Sequence, residues 1–154
     1  MAKDKDRQLD TVLEVAGLRR DDALRLLGQA MRALEQGQQQ LQQLESYAAE
    51  SQARWNTRAS QGVTPQLLHH HRQFMARLAE ASQFQRDVIS RLEADVQRQQ
   101  EQVVLAERER AALGKYVDRK RQAVLRASER LDQKFNDEMA ANAHRRQAAP
   151  TTAR

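Results

Sequence analysis

The chain has 154 residues, of which 31% are charged, 40% apolar and only 4% aromatic, with five Gly, two Pro and no Cys. So few turn formers and large side chains exclude a β-sandwich or an α/β fold, and the missing thiols exclude disulfides and cysteine chemistry. Gln, Ala, Arg, Leu and Glu dominate, the composition of long solvated helices; the net charge of +5 is a modest basic excess that bears on partners and not on fold.

Residues 1–5 are expected to fray. The start, MAKDKDRQLD, carries no apolar stretch behind it, so no secretory signal is expected. No run approaches the ~18 apolar residues of a membrane span. The first predicted helix covers about 6–60. Counting 4 and 3 alternately from Leu9 gives Leu9, Leu13, Ala16, Arg20, Ala23, Leu27, Ala30, Leu34, Gly37, Leu41, Leu44, Ala48, Ser51 and Trp55. Apolar residues hold all of these except Arg20, Gly37 and Ser51, which is a coiled-coil seam sustained over many heptads.

The punctuation Gln61-Gly62-Val63-Thr64-Pro65 predicts a turn over 61–64. Gly62 suits the left-handed residue that closes a helix. Thr64 can cap the next helix and Pro65 can occupy its first position. The second predicted helix covers about 65–146. Leu67, His71, Phe74, Leu78, Ala81, Gln85, Val88 and Leu92 continue the rhythm, and Leu92, Val96, Gln99, Val103, Ala106, Arg110, Leu113, Val117, Lys120, Val124, Ala127 and Leu131 form a second run. The steps 88→92→96 are two consecutive fours, so a stutter that straightens the helix is expected there, with Phe84 on its flank. Residues 147–154, including Pro150, read as a disordered tail.

These elements predict an all-α fold: a long antiparallel two-helix coiled-coil hairpin whose C-terminal helix overhangs. Folding back at Gly62 pairs residues whose numbers sum to about 125, so Trp55 should meet the His70–His71 region. Residues of about 120–145 are left without an internal partner, while Val124, Ala127, Leu131 and Phe135 keep an apolar stripe that asks for another chain. Exposed seam edges also leave room for weak self-association.

Little in the sequence suggests catalysis. His69, His70 and His71 sit about 100° apart on a helix and cannot converge on one ion. The glycines form no phosphate-binding loop. A helical hairpin offers no water-excluding cleft to shift carboxylate pKa values. No cofactor, metal or enzymatic activity is therefore expected. The basic cluster Arg119-Lys120-Arg121 is interrupted by Asp118, Glu129 and Asp132 and has no aromatic placed for base stacking, so nucleic acid is not the expected partner.

Four segments resemble the FliJ family of flagellar export proteins: DDALRLLGQAMRALEQGQQQLQQLESY (21–47), the turn SQGVT (60–64), RQFMARLAEA (72–81) and ERLDQKFNDEMAANAHRR (129–146). The resemblance covers roughly 9–146, and neither Leu26-Leu27-Gly28 nor the LDQKxxDE pattern is dictated by a heptad. It implies a soluble, cytoplasmic component peripheral to the inner membrane at the flagellar base. Members are similar to the central stalk of rotary ATPases; they enter the export ATPase hexamer, promote its assembly, reach the export gate FlhA and bind export chaperones. The resemblance maps the gate-facing patch onto Gln40, Leu44, Tyr47, Phe74, Leu78 and Ala81. Ser51 and Gln85 depart from it, standing where a Tyr and a His can occur. Leu78 and Ala81 are expected to serve packing, and Tyr47 and Gln40 contact. For the ATPase ring the expected residues are Arg126, Arg130, Asp132, Gln133, Lys134, Asp137 and Glu138, with the charges of Arg19, Arg20, Asp21 and Asp22 nearby. The alternatives are the equivalent stalk of a virulence type III secretion system and a basic coiled-coil scaffold or nucleic-acid binder; the LDQKxxDE ending favours the flagellar version.

Overall fold

A computed structural model of the chain describes residues 1–149. Two helices account for nearly all of them: α1, Ala2–Ala59, and α2, Pro65–Ala148. They pack antiparallel as a helical hairpin, with no strand among the described residues. Among these residues no helix is long and apolar enough to cross a membrane. Residues 2–5, expected to fray, belong to α1, where the Lys5 N–H donates to the Met1 carbonyl and Asp4 complements the helix dipole. Residues 147 and 148 extend α2, whose last turn carries Arg145 and Arg146 at the negative end of the dipole; residues 150–154 lie outside the described ones.

The connection uses the chemistry of its residues. The N–H groups of Gln61 and Gly62 donate to the carbonyls of Arg58 and Ala59, closing α1 in a tight turn. Gly62 has φ +94°, in the left-handed region that side chains disfavour. The Leu67 N–H donates to Thr64 Oγ1 at 3.2 Å, an N-cap, and Pro65 takes the first helical position, where its missing N–H is harmless. A Cβ at Gly62 meets nothing within 4 Å, so only backbone strain opposes substitution there. Gly62→Val is expected to destabilise the hairpin by about 1 kcal/mol or more, read from urea or thermal unfolding.

The chain divides into two compact units, one made of Leu18–Glu107 and the other of Met1–Gly17 with the chain from Arg108 on. In the Leu18–Glu107 unit, Ala23, Leu27, Ala30, Leu34, Gly37, Leu41, Leu44, Ala48, Ser51 and Trp55 are all buried or half-buried. Their partners on α2 are Leu68, His71, Met75, Leu78, Ser82, Gln85, Ile89, Leu92, Val96, Gln99, Val103 and Ala106. This row steps 3 and 4 without interruption, so the expected stutter at 88–96 is not there. Ile89 takes the seam in place of Val88, and Met75 and Ser82 take it in place of Phe74 and Ala81, which are exposed.

Gly37 explains part of this register. A Cβ on it would sit 3.0 Å from Leu92 Cδ1 and 3.5 Å from Ile89 Cγ1. The missing side chain lets these two aliphatic groups reach the α1 backbone, and the Gln85 side-chain amide donates to the Gly37 carbonyl at 2.9 Å. Nearer the turn, Trp55 stacks on His71 with ring centroids 4.1 Å apart and planes 4° from parallel. On one edge, Arg86 pairs with Glu45 at 3.1 Å.

In the other unit, Leu9, Leu13 and Ala16 face Leu113 and Val117, and Val117 is 0% exposed. Arg121 pairs with Asp6 at 3.0 Å and also with Asp10, clasping the start of α1. Hydrogen bonds first to Asp10 and then to Asp6 raise the already high pKa of this guanidinium, so it stays charged at any working pH. From Asp118 to Ala148 every residue of α2 is exposed.

Candidate functional site

Two surfaces carry the residues singled out by sequence. The first lies in the Leu18–Glu107 unit. Gln40, Leu44 and Tyr47 recur at steps of 4 and 3, as do Phe74, Leu78 and Ala81, so each set lies on one face of its helix. The two rows meet along one open edge of the seam. Tyr47 and Phe74 form an edge-to-face pair with centroids 6.0 Å apart, and the rings are 47% and 37% exposed. Gln40 accepts a hydrogen bond at 3.2 Å from Gln85, which sits half-buried in the seam. Leu44 and Leu78 are half-buried and form the floor, while the aromatic pair, Gln40 and Ala81 form the accessible rim. Ala81 is a correction: expected to serve packing, it is exposed, because Ser82, 6% exposed, fills the seam position beside it.

Polar groups continue the surface on α1. Gln39, Gln42, Gln43, Ser46 and Glu50 border Tyr47 around a shallow depression. Tyr47 thus presents an apolar ring toward Phe74 and a hydroxyl toward a polar field, the amphipathic character of a contact residue.

The second surface is the exposed stretch of α2 in the other unit. Arg126, Arg130, Gln133 and Asp137 recur at 4, 3 and 4, so they share one face, with Lys134 at its margin. Asp132 and Glu138 do not join them; Asp132 lies beside the apolar stripe of Val124, Ala127, Leu131 and Phe135, and Glu138, three residues after Phe135 and seven after Leu131, continues it. Leu131 and Phe135 are 68% and 62% exposed. Among the described residues, the side chains of the seven predicted contact residues make no hydrogen bond or ion pair. Arg20 and Arg25, by contrast, are engaged by Asp21 and Asp22, each at 2.8 Å.

Sequence reading passes over two features. The clasp of Arg121 on Asp6 and Asp10 fixes where the exposed stretch begins, and its only sequence signal is opposite charge at positions summing to 127 and 131. Gln85 reads as a polar heptad position and a departure from a family pattern, with no sign that it ties the α1 backbone at Gly37 to Gln40. The three adjacent histidines separate: His71 stacks on Trp55, while the exposed rings of His69 and His70 are 6.4 Å apart.

Against known protein families, the model described as the flagellar FliJ protein matches residues 5–149. This chain belongs to the flagellar FliJ family. A curated relative, the flagellar FliJ protein of Salmonella typhi, is 30% identical over 135 residues, covering 88% of this chain and 92% of that protein. No solved structure matches. The family match takes in both surfaces, the turn and the whole exposed stretch of α2 up to residue 149.

Proposed function

We propose that this chain is a non-enzymatic component of the bacterial flagellar type III protein export apparatus, acting as the stalk of its ATPase. The observation that carries this reading is the stretch beyond Val117: a helix with charge on one face and an unpartnered apolar stripe on another, in a chain of the flagellar FliJ family. The end of α2 enters the ATPase hexamer and promotes its assembly and activity. The edge formed by Gln40, Leu44, Tyr47, Phe74, Leu78 and Ala81 engages the export gate FlhA, and export chaperones bind as further partners. The protein works in the cytoplasm, peripheral to the inner membrane at the flagellar base.

Physical chemistry supports dividing the work this way. A stalk inside a ring meets several near-equivalent surfaces in turn. Exposed charges such as Arg126, Arg130 and Lys134 give contacts that are weak, repeated and fast to exchange. The gate-facing edge needs one defined partner, and an edge-to-face aromatic pair over a leucine floor supplies a compact anchor of the kind that dominates binding energy.

A photo-crosslinking amino acid at Gln133 is expected to capture the export ATPase, and one at Tyr47 the gate. Exchanged or absent products would overturn the assignment of surfaces. Replacing both Tyr47 and Phe74 by Ala is expected to weaken gate binding about tenfold or more, measured by calorimetry, with helicity unchanged because both rings lie outside the seam.

A further inference from the structure

Two rows of side chains on α2, in different units, match one another. The first is Arg77, Phe84 and Arg91; the second is Asp118, Leu125 and Asp132. Seven residues are just short of two helical turns, so each row keeps one face over 14 residues, about 21 Å. All six side chains are exposed, the central Phe84 by 64% and Leu125 by 60%. Among the described residues, the side chains of the four charged members make no hydrogen bond or ion pair. Nearby cations do find partners: Arg86 pairs with Glu45 and Arg98 with Asp95.

We infer that a second copy of this chain occupies the Arg77–Phe84–Arg91 row with its own Asp118–Leu125–Asp132 row. The spacing carries both charges into register at once: two guanidinium–carboxylate contacts flank one apolar contact. Each row is symmetric in charge about its centre, so the match holds for parallel and antiparallel helices alike. Ala81 and the half-buried Val88, three residues before and four after Phe84, widen the apolar strip on one side of the basic row, while Glu80 and Asp87, four before and three after, border its other side. On the acidic row the neighbours of Leu125 one turn on are Ser128, small and exposed, and Glu129, while Arg121 one turn back is held by Asp6 and Asp10. Small residues such as Ala81 and Ser128 beside large ones let two helices approach closely.

The contact is heterologous, one surface against a different one, so a chain that has used its acidic row still offers its basic row. Asp132 also belongs to the set proposed for the ATPase ring, which makes the self-associated form the idle one. The inference itself needs neither ATPase nor gate, so its failure would leave the proposed function standing.

The test is the solution mass of the purified full-length chain, by sedimentation or by chromatography with light scattering. At about 0.1 mM and low salt the mean mass is expected to exceed the 17.7 kDa of the monomer and to fall toward it in about 0.5 M salt, which screens exposed pairs. The variants D118R/D132R and R77D/R91D each set like charges against one another, and each is expected to weaken association roughly tenfold. Mixing the two variants, or combining all four substitutions in one chain, restores it. A wild-type chain that stays monomeric at this concentration would overturn the inference. So would a fully helical four-fold variant that associates no better than the double variants.

Discussion

Val117→Asp is expected to release the first seventeen residues of the chain from α2. Val117 is the most completely buried side chain of its unit, packed where Leu9, Leu13 and Ala16 close over α2. A carboxylate there loses its hydration and gains no partner, at a cost of about 3 kcal/mol or more. Of the two cations one turn on, Lys120 lies over the exposed Tyr116 ring and Arg121 already holds Asp6 and Asp10, so recruiting Arg121 would undo the clasp on the start of α1. The apolar contacts of this unit are few, and the penalty exceeds what they can offset. Local opening is therefore the expected response. Hydrogen exchange should show amides of residues 6–17 losing protection while those of residues 37–48 and 78–92 keep theirs. Uniform loss of protection would mean that the chain opens as one cooperative whole.

Reversing Arg126, Arg130 and Lys134 to Glu is expected to abolish stimulation of the export ATPase while leaving helicity intact. All three are exposed, and none touches the seam, so the fold has no stake in them. Each reversal removes one attraction and adds a repulsion of similar size. Summed over three positions, the loss of affinity is about a hundredfold or more. The triple Gln variant, which removes charge without inverting it, should fall between wild type and Glu. Full stimulation by the Glu variant at equal concentration would move the contact to another surface.

The first helix is legible in the sequence because its heptad faces no competitor. Each position counted from Leu9 to Trp55 is buried or half-buried, Arg20, Gly37 and Ser51 included. In α2 the same counting is right at His71, Leu78, Gln85 and Leu92 and one residue short at the positions between them. Phe74, Ala81 and Val88 lie one position before Met75, Ser82 and Ile89, and hydrophobicity ranks the first set as the better seam. Packing decides otherwise. Gly37 leaves space that Leu92 and Ile89 fill, and Gln85 must reach the Gly37 carbonyl. Those requirements fix a phase in which Ser82 is inside and Phe74 outside. The apparent stutter is the passage from that outer stripe to the buried one.

The difference in phase has a functional counterpart. The outer stripe contains Phe74 and Ala81 of the patch proposed to face the gate, so residues that the heptad count places in the seam are exposed. The open edge is legible at Tyr47 and Gln40, whose positions lie off the α1 heptad. It is not legible at Ala81, because an alanine on the flank of a seam and one within it read alike. In the exposed end of α2, periodicity foretells an unpartnered apolar stripe, but only positions along the helix show that Asp132 borders it and Glu138 continues it while Arg126 and Arg130 face elsewhere.

ATP hydrolysis is the decisive test of the stalk role proposed for this chain at the export ATPase. The purified ATPase of the same bacterium is assayed with and without the full-length chain, and ring assembly is followed by chromatography on the same mixtures. Stimulation with hexamer formation, saturating near one chain per ring, is the expected result. An unchanged rate and no rings, with a helical sample and a competent ATPase, would contradict it.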